Sequence, residues 1–122
     1  MARRLRHALP DGVFHVTTRG VDRCAIYRDD ADRLSFLRLL ADCVNRFHWT
    51  VHAFCLMTTH YHLIVQTTVP QLWRGMQRLN GVHALRFNKR HRRTGHLFGD
   101  RVRLLDRRRR RLLHRDVRIR PQ

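Results

Sequence analysis

The sequence contains no glutamate, so all acidic side chains in its 122 residues are the nine aspartates. That absence removes the zinc protease and zinc deaminase patterns, in which a Glu serves as general acid or base. The cysteines Cys24, Cys43 and Cys55 are odd in number, widely spaced and form no C-x-x-C pair, so neither a disulfide framework nor a zinc knuckle is indicated. Unpaired thiols fit a reducing compartment, and a cytoplasmic location is expected. The basic start Met1-Ala2-Arg3-Arg4-Leu5-Arg6 is followed by no apolar run of signal-peptide or membrane-spanning length, so no membrane partner is expected. Tyrosine is scarce as well, with only Tyr27 and Tyr61 in the whole chain.

What the chain has in excess is arginine. Of its 26 basic residues 25 are Arg and one, Lys89, is Lys, and the net charge is +17. Residues 1–85 hold 11 Arg and 6 Asp, net +5, whereas residues 86–122 hold 15 basic residues and 3 Asp, net +12. A polyanion engaged mainly by the C-terminal third is the partner this asymmetry implies. A GC-rich genome would favour Arg codons over Lys codons, but it would not create the net charge. Guanidinium groups also suit forked contacts to phosphate and stacking on bases.

The length allows one small domain. Val13-Phe14-His15-Val16-Thr17-Thr18 is β-branched and aromatic and stops at Arg19-Gly20, which predicts a strand. Asp29-Asp30 is a helix N-cap signal before Leu34, Leu37, Leu40, Ala41, Val44 and Phe47, whose spacing predicts an amphipathic helix over residues 30–47. Two β-rich segments, 49–56 and 61–67, joined by Met57-Thr58-Thr59, predict an antiparallel hairpin. Pro70 opens a second helical stripe of Leu72, Met76, Leu79, His83 and Phe87, interrupted by Gly81. Val102-Arg103-Leu104-Leu105 is a candidate closing strand. The arginine run that follows predicts loose packing through like-charge repulsion. The order β-α-β-β-α with a closing strand predicts an α+β fold, a ferredoxin-like or split β-α-β antiparallel sheet with two helices on one face.

His60-Tyr61-His62 is the most informative local pattern. Residues i and i+2 of a strand share a face, so two imidazoles from one strand can converge on one ion while Tyr61 turns to the core. Such an ion keeps open positions for phosphate oxygens. Taken alone, the spacing is met equally well by two solvent-facing histidines. His15 stands apart from the other histidines, because a neighbouring strand could carry it to the pair.

Around that pair, five blocks fall in one register. They are residues 14–20, Ala25-Ile26-Tyr27-Arg28-Asp29-Asp30, residues 53–65, Arg78-Leu79-Asn80-Gly81 with Phe87-Asn88-Lys89-Arg90-His91, and Gly95-His96-Leu97-Phe98. Together they resemble the single-tyrosine HUH transposases, in particular the REP-associated tyrosine transposases, over about residues 10–101. The resemblance implies metal-dependent nicking and rejoining of hairpin-bearing single-stranded DNA through a covalent phosphotyrosine. It also implies His60 and His62 as ligands of Mg2+ or Mn2+, and a homodimer as in some relatives. Arg19, Arg78, Asn80, Lys89, Arg90, Arg92, Arg93 and Arg101 are the candidate nucleic-acid contacts.

Two departures stand out. Thr59 occupies the position before the first histidine where the resemblance leads one to expect Asn. After Arg101 the resemblance implies a helix bearing the nucleophilic tyrosine, whereas this chain continues Val102-Arg103-Leu104-Leu105-Asp106 into arginines. The expected organisation is therefore a transposase-like HUH domain over 1–101 and an Arg-rich tail over 102–122, with no catalytic tyrosine assigned, as in a truncated inactive copy. The alternatives are a non-catalytic binder of single-stranded DNA or RNA and a nuclease that uses metal-activated water.

Overall fold

A computed structural model describes residues 11–99, 101–106 and 111–116. The basic N-terminal segment, Asp100, the arginines at 107–110 and residues 117–122 lie outside the described residues, as do the side chains of Arg101 and of residues 111–116. Strand β1, Gly12–Arg19, alternates as its composition requires: Phe14, Val16 and Thr18 are buried, and His15 and Thr17 take the other face. A short 3-10 turn, Val21–Arg23, leads towards helix α1, Asp30–Phe47. The Asp29 carboxylate accepts the Asp32 N–H at 3.1 Å and caps the helix. His48 closes it in the left-handed region at φ 56°.

The buried face of α1 differs from the leucine stripe in the sequence. Phe36, Leu39, Leu40 and Cys43 are buried, whereas Leu34 is 49 % exposed. The aromatic cluster sets this rotation, because the Phe36 ring packs 4.8 Å from Tyr61, 5.2 Å from His83 and 5.4 Å from Tyr27, centroid to centroid.

Strands β2, Thr50–Leu56, and β3, His60–Thr67, form the expected hairpin, closed by the Met57 N–H on the His60 carbonyl at 2.8 Å. Helix α2, Val69–His91, starts with Pro70 where a missing N–H costs nothing, and buries Leu72, Met76, Leu79, His83 and Phe87 as the spacing predicts. It runs unbroken through Gly81, which is itself buried.

Strands β4, Arg101–Asp106, and β5, Arg111–Asp116, complete a sheet of order β2-β3-β1-β4-β5 with every neighbour antiparallel. The first four strands with α1 and α2 have the ferredoxin-like arrangement, and β5 is added at the edge. Both helices cover one face, where Tyr61 meets Phe36 of α1 and Asn80 of α2. Position 101 opens β4, so the sheet continues past it, and Val102 and Leu104 enter the core. Within the arginine-rich ending, β5 pairs with β4 although charge predicts loose packing, because ladder bonds satisfy the backbone whatever the side chains carry.

Two core positions give measurable expectations. A Cβ at Gly75 would lie 2.1 Å from Trp49 Cζ2, and that ring is held by its Nε1–H on the Gln71 carbonyl at 3.1 Å. Gly75→Ala should therefore cost about 1–3 kcal/mol, seen as a lower denaturation midpoint. An unchanged midpoint would mean that Trp49 swings aside freely.

His83, almost wholly buried, donates its Nε2–H to the Ile26 carbonyl at 2.8 Å, and burial pushes its pKa below the usual histidine value. As pH falls below about 6.5, the unfolded chain takes up a proton that the folded chain refuses, so stability falls with pH. Urea titrations at pH 7 and pH 5 should show that loss, and His83→Gln should shrink it. An equal loss in both proteins would place the pH dependence elsewhere.

Candidate functional site

The open face of the sheet is built by strand parity. On β3, Tyr61, Leu63 and Val65 are buried beneath the helices, which leaves the half-buried His60, His62 and Ile64 on the side that, among the described residues, no helix covers. Register then assembles a row across four strands, with Cys55 of β2 opposite His62, His62 opposite Thr17 of β1, and Thr17 opposite Arg103 of β4. Arg19 stands opposite His60 in the next row. Directly opposed residues share a face, so two histidines, a threonine and two arginines lie side by side.

Backbone bonds fix the end of the sheet where this face begins. The turn before His60 is tied by the Gly20 N–H on the Thr59 carbonyl and the Ile26 N–H on the Thr58 carbonyl, both at 2.8 Å. Residues 97–99 join the same corner through the Val21 N–H on the Leu97 carbonyl and the Gly99 N–H on the Arg19 carbonyl. Gly20 permits the close approach, since a Cβ there would sit 2.3 Å from the Cys24 carbonyl oxygen.

The His60 and His62 rings lie 5.0 Å apart, centroid to centroid, at 83°. Each Nδ1 has a polar neighbour: Thr59 Oγ1 at 3.2 Å for His60, and His15 Nε2 at 3.0 Å with Thr17 Oγ1 at 3.1 Å for His62. The His60 pKa is lowered by burial, then by the positive charge of Arg19 and by His62, which favours the neutral imidazole that a metal needs. Both rings lie on the same face of one strand. Among the described residues no group of three or more His, Cys, Asp or Glu side chains is placed to hold a divalent cation, so phosphate and water would complete the shell.

The other sequence candidates are scattered. Arg78 lies on the helical layer, its Nε–H on Asp42 at 2.8 Å. Asn80 is fully buried and accepts the Tyr61 hydroxyl hydrogen bond. Arg90 forks onto Asp29 at 2.6 and 2.7 Å and reaches Asp32 at 2.7 Å, tying α2 to the start of α1. Arg93 donates to Asn88 and to the Gly95 and His96 carbonyls. Lys89 and Arg92 are exposed near the end of α2. Thr17 and Arg103 were not singled out in the sequence, although the parity of β1 and the pairing of β4 would have found them.

Neither tyrosine reaches the open face. Tyr61 is 0 % and Tyr27 1 % exposed, and burial raises both phenol pKa values far above their usual range. No helix among the described residues is long and apolar enough to cross a membrane.

No curated protein matches the chain. A crystal structure described as that of a transposase candidate from Deinococcus radiodurans R1 is similar in fold, with a TM-score of 0.61 at 17 % identity over 78 % of each chain. The sequence pattern described as "Transposase IS200 like" matches residues 10–105, most of the chain and all of β1 to α2 together with nearly all of β4. This chain belongs to the IS200-like transposase family.

Proposed function

We propose that the chain binds hairpin-bearing single-stranded DNA on the open face of its sheet, as a REP-associated member of its family. His60 and His62 are the ligands of Mg2+ or Mn2+ in this reading. The observation that carries it is the pair of same-face histidines on an interior strand, flanked by Arg19 and Arg103. Bound there, the ion would polarise a phosphodiester and offset charge developing on its oxygens. Arg19 and Arg103 contact the neighbouring phosphates, and Lys89 and Arg92 extend the basic surface at the end of α2. Arg90 and Arg93 reach a phosphate only by giving up the internal bonds they already make.

The burial of Tyr27 and Tyr61 favours binding without covalent chemistry by this chain. A phosphotyrosine requires a hydroxyl in line with the scissile phosphate, and neither residue can offer one from the core. Incubation with hairpin-bearing single-stranded DNA and Mg2+ or Mn2+, followed by native and denaturing gels, tests this. Retarded DNA on the native gel with no covalent adduct on the denaturing gel is the expected result. An adduct that disappears in Tyr27→Phe or Tyr61→Phe would overturn it.

Binding should also weaken with salt, since each Arg–phosphate contact releases counterions. In the Arg19→Ser/Arg103→Ser variant the slope of log K against log salt should fall by roughly 1.4, from two contacts at about 0.7 each on a single strand. An unchanged slope would move the footprint off this face.

A further inference from the structure

Strand geometry alone does not determine which nitrogen His62 presents to the open face. Its Nδ1 has two neighbours on β1, His15 Nε2 at 3.0 Å and Thr17 Oγ1 at 3.1 Å. Thr17 is its direct cross-strand partner, whereas His15 stands opposite Ile64 and reaches His62 diagonally, with the two rings 5.2 Å apart.

A neutral imidazole carries one ring proton, so two arrangements are chemically available. If His62 Nδ1 carries the proton, it donates to Thr17 Oγ1 or to the lone pair of His15 Nε2, and His62 Nε2 keeps its own lone pair for an ion. If Nδ1 is bare, the His15 Nε2–H or the Thr17 hydroxyl donates to it. The His62 proton then sits on Nε2 and blocks the ion.

We propose that His15 and Thr17 are positioning residues that hold His62 in its Nδ1–H form with its ring orientation fixed. This inference rests on the reading of His60 and His62 as metal ligands. The neighbouring ligand has the same arrangement, since Thr59 Oγ1 lies 3.2 Å from His60 Nδ1. Both rings thus have their Nδ1 engaged by the protein, which leaves Nε2 of each for the ion. A ligating histidine whose second nitrogen donates to a fixed acceptor is held in one tautomer, and losing that acceptor typically costs about 10–100-fold in metal affinity.

The test uses the full chain and two readouts. Long-range 15N NMR of the metal-free protein reports the His62 tautomer, and calorimetric titration with Mn2+ reports affinity. In His15→Phe/Thr17→Val the Nδ1–H signature of His62 should give way to the other tautomer or a mixture, and Mn2+ affinity should fall about 10–100-fold. Thr17→Val alone, nearly isosteric, should show part of both effects, and Thr17→Ser should restore them. The same tautomer and the same affinity in the wild type and the double variant would overturn the proposal. A wild-type chain that binds no Mn2+ would remove the metal reading, and the tautomer then decides alone. Nδ1–H in the wild type that is lost in the double variant upholds positioning, and any other pattern overturns it.

Discussion

Combining His60→Ala with His62→Ala should lower Mn2+ affinity by more than about 100-fold, beyond the cost of losing a supporting residue alone. Both ligands of the proposed ion come from one strand, and no third His, Cys, Asp or Glu among the described residues is grouped with them to hold it in their absence. The metal-dependent part of the affinity for hairpin-bearing single-stranded DNA should go with it. The salt-dependent part should stay, because Arg19 and Arg103 occupy other strands and need no ion to meet a phosphate. Calorimetry with Mn2+ and DNA binding at two salt concentrations separate the two contributions. Mn2+ affinity within threefold of the wild type would place the ion elsewhere.

Asp32→Ala should destabilise the fold by about 3 kcal/mol. Asp32 is only 4 % exposed and carries three bonds at once: the Arg28 N–H at 2.8 Å, Arg90 at 2.7 Å and His91 Nε2 at 2.7 Å. Its loss takes this acceptor from the Arg28 N–H and from His91, and removes one of the two carboxylates on Arg90. The figure sits at the low end for breaking a buried ion pair because Arg90 remains half exposed and keeps Asp29. Against a typical total of about 5–15 kcal/mol this is a large fraction.

The same cluster has an acid limb. Burial alone would raise the Asp32 pKa, but the hydrogen bonds from Arg28, Arg90 and His91 outweigh it and hold the carboxyl below its usual value. Its contribution is therefore complete above about pH 4, the unfolded value, and is lost as pH falls through the lower folded value. Urea denaturation at pH 7 and pH 3 should show a smaller acid loss in Asp32→Asn than in the wild type. Equal losses would mean that Asp32 is not the group that titrates.

Local chemistry was readable along the chain wherever one element sufficed to decide it. The β-branched run at 13–18, the Asp29 cap, the turn at 57–59 and the stripe from Leu72 to Phe87 each carry their own signal, and each became the element it predicts. Strand parity alone placed His60 and His62 on one face and Tyr61 in the core. The likeness of five blocks to a transposase family was legible for the same reason, since it depends on order and type rather than on contacts.

What depends on two elements meeting was not legible. The face that α1 buries was decided by the aromatic cluster of Tyr27, Phe36, Tyr61 and His83, to which residues from a loop, a strand and both helices contribute. Arginine has one chemistry in the sequence and two destinations in the fold. Arg90 and Arg93 are used up internally by an aspartate pair and by loop carbonyls, while Arg19 and Arg103 are carried to the histidines by strand register. Asn80 likewise went to Tyr61 and the interior. Sequence determined which residues could do chemistry here, and only the pairing of β1 with β3 and β4 decided which of them stand together. Register is a long-range property, in which a shift of one residue sends every side chain of a strand to the opposite face.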